Sequence, residues 1–197
     1  MKKIILTTFV LSTLAACSSS FQTNKTQNQT ILRSKFNQDL PKWVIENSGK
    51  LTEEGNKVYY VAEIVRPGSK NLNTVQLERA AQLAASAQLA TRAAQRLNSS
   101  IALSKNDEDI EEGSTSFNAI GETSIKISSI SPDGSYWQLI EYADGGREYR
   151  VYARVGVDKK ELEKAMTTAF TNANPSADKT TVDSVLSNVN LNDNKIF

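Results

Sequence analysis

The chain has 197 residues, 23 basic against 22 acidic side chains, one cysteine and no histidine. That composition excludes Ser-His-Asp and Cys-His catalytic sets, zinc sites built from His and Cys, and an internal disulfide framework. A near-neutral chain also lacks the clustered basic face that nucleic acid requires.

Lys2 and Lys3 precede an apolar run, Ile4 to Leu14, and the small pair Ala15-Ala16. This is the layout of a secretory signal peptide over residues 1–16. The thirteen residues from Ile4 to Ala16 fall short of the ~20 that span a bilayer. The sequence Leu14-Ala15-Ala16-Cys17 resembles the lipobox of bacterial lipoproteins, Leu-(Ala/Ser)-(Gly/Ala)-Cys. The resemblance implies a diacylglyceryl group on the Cys17 sulfur, cleavage between Ala16 and Cys17, and acylation of the new amino group. Two or three chains hold durably where one is marginal, at ~0.8 kcal/mol per buried methylene. Ser18 stands where an aspartate would resemble the signal for inner-membrane retention, so in a two-membrane bacterium the resemblance implies the outer membrane. Loss of Lys2 and Lys3 with the leader leaves 21 basic against 22 acidic residues, a net charge of −1.

Residues 17–40 read as a lipidated N-terminus and flexible tether. From Ser18 to Thr30 nearly every residue is Ser, Thr, Asn or Gln, too little apolar surface to offset ordering entropy. A coil of ~20 residues reaches roughly 25 Å. Pro41 then opens a domain predicted over residues 41–170, with Trp43, Val44 and Ile45 first and a polar turn from Asn47 to Asn56. Lys57 to Val65, rich in β-branched and aromatic residues, predicts a strand, closed by Arg66-Pro67-Gly68.

Asn73 or Thr74 offers an N-cap for a helix running to about Asn98. Eight of the fifteen residues from Ala80 to Ala94 are alanine, and Leu83, Ala87, Ala90, Ala94, Leu97 and Ile101 step along one predicted apolar face. The acidic run Asn106 to Glu112 lacks the glycine and the bidentate glutamate of an EF-hand loop, so it reads as a solvated segment. Over Ser116 to Ile130 a helix is expected in the first part, while Ile125-Lys126-Ile127 alternates like a strand. Ser135 to Tyr142 and Arg147 to Val157 flank Ala143-Asp144-Gly145-Gly146 and predict a tight hairpin. Its second strand puts Tyr149, Val151, Ala153, Val155 and Val157 on one face. Arg150, Tyr152 and Arg154 take the other, an exposed contact surface or an ordinary solvent-facing strand. Asp158 caps a helix from Lys159 to about Phe170, and residues 171–197 read as a polar, mobile tail. The fold class is α+β: one compact domain, an antiparallel sheet with a long Ala-rich helix packed on it.

The order of these features resembles the Lpp-twenty family of small bacterial outer-membrane lipoproteins, which includes flagellar basal-disk lipoproteins. The matching residues are Pro41-Lys42-Trp43, Val58 to Val65, Ala80-Ala81 through Ala94, and Trp137 with Tyr149, Val151, Tyr152 and Ala153. The resemblance implies a compact domain without catalysis that oligomerises or scaffolds envelope assemblies. The expected partners are the membrane, through lipid on Cys17, and an envelope protein or a second copy. No cofactor, metal, nucleic acid or small-molecule substrate is expected. Two other readings stay open: a periplasmic activator of a cell-wall synthase, and an enzyme using carboxylate pairs such as Glu63 with Glu78 or Asp144 with Glu148.

Overall fold

The computed structural model describes residues 29–69, 72–106, 117–121 and 124–194. The leader, Ala16, Cys17, the chain through residue 28 and the acidic residues 107–112 lie outside them. The strands are β1 Gln29–Ser34, β2 Leu51–Glu54, β3 Lys57–Pro67, β4 Ser131–Tyr142 and β5 Arg147–Asp158. They form one antiparallel sheet in the order β1-β4-β5-β3-β2. Helices α2 Thr74–Asn106, α3 Lys159–Ala173 and α4 Lys179–Ser187 share the main core with one face of this sheet. The six-residue helix α1, Lys42–Asn47, packs on the opposite face. The α+β architecture expected from the sequence is thus the one observed.

Local chemistry sets the strand boundaries. The β4–β5 hairpin turns at Ala143–Gly146, where Gly145 takes φ +78° and the Asp144 carboxylate accepts the Gly146 N–H at 2.9 Å. The β2–β3 hairpin turns at Gly55, φ +63°, so the expected polar turn over Asn47 to Asn56 contains a strand. Asp158 caps α3 by accepting the Lys160 N–H at 2.9 Å. That satisfies one of the donors left over in a helix's first turn.

Helix α2 runs to Asn106, beyond the expected end near Asn98, and its buried face matches the predicted one at Ala94, Leu97 and Ile101 but departs from it before them. Leu77, Ala81, Ala85, Leu89, Ala93, Leu97 and Ile101 are buried, while Leu83 is 74% exposed and Ala87 is exposed. Each four-residue step advances about 40° around the axis, so this stripe winds along the helix. The winding suits its neighbours. Gln88 accepts from the Tyr60 hydroxyl of β3 at 2.7 Å, and further along Ser100 donates to the Val185 carbonyl of α4. Alanines on every side blur the periodicity from which a face is read.

Three expectations from the sequence are corrected. First, the tether does not extend to residue 40. Gln29–Ser34 pairs with β4 (Gln29 opposite Tyr142, Ser34 opposite Gln138) as an edge strand with exposed side chains. Second, residues 117–121 and 124–130 form no helix; they run irregularly along the core with Ile120 and Ile125 buried. Side-chain amides replace a backbone ladder there. Asn98 donates to the Ile120 carbonyl at 2.8 Å and accepts its N–H at 2.7 Å, and Asn174 accepts the Asn118 N–H at 2.6 Å. Third, residues 171–194 are not a loose tail. Helix α4 buries Val182 and Val185, and beyond it Leu191 is buried. The Asp193 N–H donates to the Leu51 carbonyl and its carboxylate accepts the Leu51 N–H, both at 2.8 Å, with Arg96 paired to the same carboxylate.

Between β1 and α1 the chain makes a left-handed turn at Lys35–Asn37, with φ +59° at Phe36 and +52° at Asn37. Such a conformation costs an L-residue roughly 1–2 kcal/mol, although Asn tolerates it well. The Phe36 side chain is 78% exposed and contributes little packing. In Phe36→Gly, relief of strain and the extra chain entropy of glycine, roughly 0.5–1 kcal/mol, oppose each other. The expected stability change is within about 0.5 kcal/mol by urea titration. A loss well above this would mean the ring is packed.

Candidate functional site

Strand β5 sorts its residues by side, as a pleated strand must. Tyr149, Val151, Ala153, Val155 and Val157 are buried in the main core. Glu148, Arg150, Tyr152, Arg154 and Gly156 take the opposite face, so the three residues expected to share a surface do share one. That surface is not open. Tyr152 is 5% exposed, clustered with Val44 of α1 and Tyr136 of β4, with Leu40 and Trp43 packed against them. The Arg154 side chain is 12% exposed, and only Arg150, at 31%, meets solvent appreciably.

The polar groups of this face engage one another. Arg150 Nε donates to Glu148 Oε1 at 2.8 Å and a terminal nitrogen donates to the Tyr142 hydroxyl at 3.0 Å. Tyr142 in turn bonds to Glu148, and Glu63 stands 3.9 Å from Arg150 Nε while accepting the Tyr152 hydroxyl at 3.1 Å. Nearer the sheet's other end, Arg154 bonds Glu54 at 2.6 Å, pairs with Asp133 at 3.2 Å, and stacks 3.8 Å from the centroid of the Tyr59 ring. Two guanidinium groups thus meet four carboxylates. Arg150 is hydrogen-bonded through two of its nitrogens, whereas Arg154 bonds only through a terminal nitrogen, its buried Nε lying near Asp133 without a hydrogen bond.

Protonation is fixed by these contacts. Burial, reinforced by the Glu63 charge and hydrogen bond, pushes the Tyr152 phenol well above the ordinary 10.0. Burial and the bond to Glu148 also raise Tyr142. For Arg150, burial alone would lower the pKa, but the bonds to Glu148 and Tyr142 outweigh it and the net shift is upward. A folded-state phenol with a raised pKa contributes stability that is fully present below the unfolded value. That contribution is lost as pH climbs toward the folded one. Stability should therefore decline from about pH 10 upward, Tyr152 contributing a slope of ~1.4 kcal/mol per pH unit. Tyr152→Phe is expected to remove that component of the slope in denaturant titrations between pH 9 and 11. An unchanged slope would rule out Tyr152 as its source.

The carboxylate pairs proposed for acid–base chemistry are not assembled. Glu63 faces Tyr152 and Arg150, whereas Glu78, on α2, binds Lys35 and the Ser135 hydroxyl on the helix-covered side. Asp144 closes the hairpin turn while Glu148 binds Arg150. Neither Tyr142 nor Tyr59 stood out among the candidate residues, and Glu148 did so only in that pair. Glu148, though, lies two residues from Arg150 and so on the same face, a signal that was readable. A cleft of about 300 Å³ beside α3 is lined by Ser124, Lys126, Glu161, Lys164, Thr168 and Asn172 among others. It lacks the aromatic walls usual in small-molecule sites. Among the described residues no group of three or more His, Cys, Asp or Glu could hold a metal, and no helix is long and apolar enough to cross a membrane. Set against protein-family models, curated proteins and solved structures, the chain matches none.

Proposed function

We propose that this protein is a lipid-anchored, non-catalytic lipoprotein of the bacterial outer membrane whose folded domain serves envelope assembly, binding another envelope protein or a second copy of itself. The observation that carries this reading is Leu14-Ala15-Ala16-Cys17 behind Lys2-Lys3 and a thirteen-residue apolar run. Positive charge, apolar length, small residues and a cysteine at the cleavage point together make up the layout of such a leader. The geometry adds support. Of the acids weighed for proton transfer, Glu63, Glu78 and Glu148 are each bound to arginine, lysine or tyrosine and Asp144 to the Gly146 N–H, an arrangement that suits a scaffold. The resemblance of the sequence pattern to the Lpp-twenty family points to the same class of role. The activator reading needs reach across the periplasm. With β1 beginning at Gln29, only eleven residues separate it from Cys17, at most about 40 Å of chain.

The test joins mass spectrometry of the mature chain to crosslinking in intact cells. The expected N-terminal peptide begins at a lipid-bearing Cys17, and the domain is recovered in crosslinked species with itself or an envelope protein. Recovery of uncrosslinked monomer alone, across linkers of several lengths, would overturn the assembly role; an unmodified Cys17 would overturn the anchor.

A further inference from the structure

Residues 124–130 lead into β4 without joining the sheet. Their side chains alternate as on a strand: Ile125 is buried, Lys126 exposed, Ile127 half-buried and Ser128 exposed. Upstream, the Asn98 and Asn174 amides serve the backbone at Ile120 and Asn118. Over residues 125–128 nothing does: among the described residues, no backbone N–H or carbonyl there makes a hydrogen bond. Ile125 is 3% exposed as a whole residue, so its peptide groups are shielded from water too. A buried, unpaired backbone group costs free energy comparable to a lost hydrogen bond, which is why such groups normally find a partner.

These residues form one wall of the cleft of about 300 Å³, and the other wall is a single face of α3 from Glu161 to Asn172. Ile127, Ala165 and Ala169 supply its apolar area. Lys126 and Lys164 belong to opposite walls, with Glu161 the one acid in the lining, so the cleft carries net positive charge. Where Arg150 and Arg154 meet carboxylates, Lys126 and Lys164 pair with none among the described residues. Two requirements therefore coincide in one place: unpaired, strand-like backbone and unpaired cations.

We infer that the cleft takes an extended, acidic segment of a partner protein, which pairs its backbone with residues 125–128 and sets carboxylates against Lys126 and Lys164. A peptide is the ligand class that offers N–H and carbonyl groups in the repeat a strand needs. Main-chain bonds of this kind give affinity, and contacts to alternate side chains give specificity. Alternate residues of the added strand face Ile127, Ala165 and Ala169, so the segment should read acid, apolar, acid, apolar. The inference deepens the binding role proposed above and rests on it; it does not depend on lipid at Cys17.

The probe is the peptide acetyl-Asp-Val-Asp-Val-Asp-Val-amide, fluorescently labelled and titrated into the full mature chain in mild detergent. Its controls are the same peptide with every backbone amide N-methylated and a version with lysine for each aspartate. Saturable binding is expected for the acidic peptide alone, with amide hydrogen exchange at residues 125–128 slowed about tenfold in the complex. Lys126→Glu combined with Lys164→Glu, both at exposed positions, should weaken binding about tenfold or more and leave the urea midpoint unchanged. Equal binding of the methylated peptide, equal binding of the lysine peptide, unslowed amides or no binding at all would each overturn the inference. In intact cells the same double variant should lose the crosslinked species formed with an envelope protein. Crosslinks that persist in it overturn the cleft and leave the assembly role standing, whereas their absence from the wild-type chain overturns the role itself.

Discussion

Val185→Asp is expected to destabilise the folded chain by about 3 kcal/mol or more, because it buries a carboxylate with no cation to meet it. Val185 is 1% exposed on α4, and its carbonyl accepts the Ser100 hydroxyl of α2. For a chain of this size the loss corresponds to a fall in melting temperature of roughly 10 °C. Ser184→Asp, one residue away on the exposed side, should change stability by no more than about 0.5 kcal/mol. The contrast measures whether α4 is docked. Equal, small effects at both positions would return residues 171–194 to the mobile tail their polar composition suggests.

Gly156→Ala should cost about 1–3 kcal/mol, and the sign should reverse once Tyr59 is removed. Gly156 lies opposite Tyr59 across β3 and β5, and a Cβ built there falls 2.7 Å from Tyr59 Cε1 and 2.9 Å from Cδ1. A free ring would swing aside. This one is stacked on the Arg154 guanidinium, itself held by Glu54 and Asp133. Moving the ring therefore forfeits a cation–π contact as well as introducing overlap. In a Tyr59→Ala background the obstacle is gone, and alanine should outperform glycine in the strand by about 0.5–1 kcal/mol. Denaturant midpoints of the four chains form a double-mutant cycle. A cost of the same sign and size in both backgrounds would mean that the ring is not what excludes a side chain at 156.

The readable parts of the sequence were those whose chemistry is local. Strand β3, the β4–β5 hairpin with its Asp-Gly-Gly turn and the Asp158 cap of α3 each carry their own signal within a dozen residues. Strand β1 does not. An edge strand need not bury a face, so Gln29-Thr30-Ile31-Leu32-Arg33-Ser34 looks like linker until β4 is found beside it. The segment around Ile120 misled for a related reason: its backbone partners are the side chains of Asn98 and Asn174, distant in sequence. Alternation correctly placed Arg150, Tyr152 and Arg154 on one face. It could not reveal that α1 folds back over Tyr152, or that Glu63 and Glu54 come from β3 and β2 to occupy the arginines.

The Asp193 contact with Leu51 bears on how the molecule is made. It satisfies the backbone of β2 at Leu51, on one margin of the sheet, and does so from near the end of the chain, while β1 forms the other margin from near its beginning. A chain emerging N-terminus first completes β2 and β3 long before the segment that seals them exists. Until then the outer backbone of β2 is a template for pairing with another molecule. Chains clipped before Asp193 should consequently fail by self-association more than by unfolding.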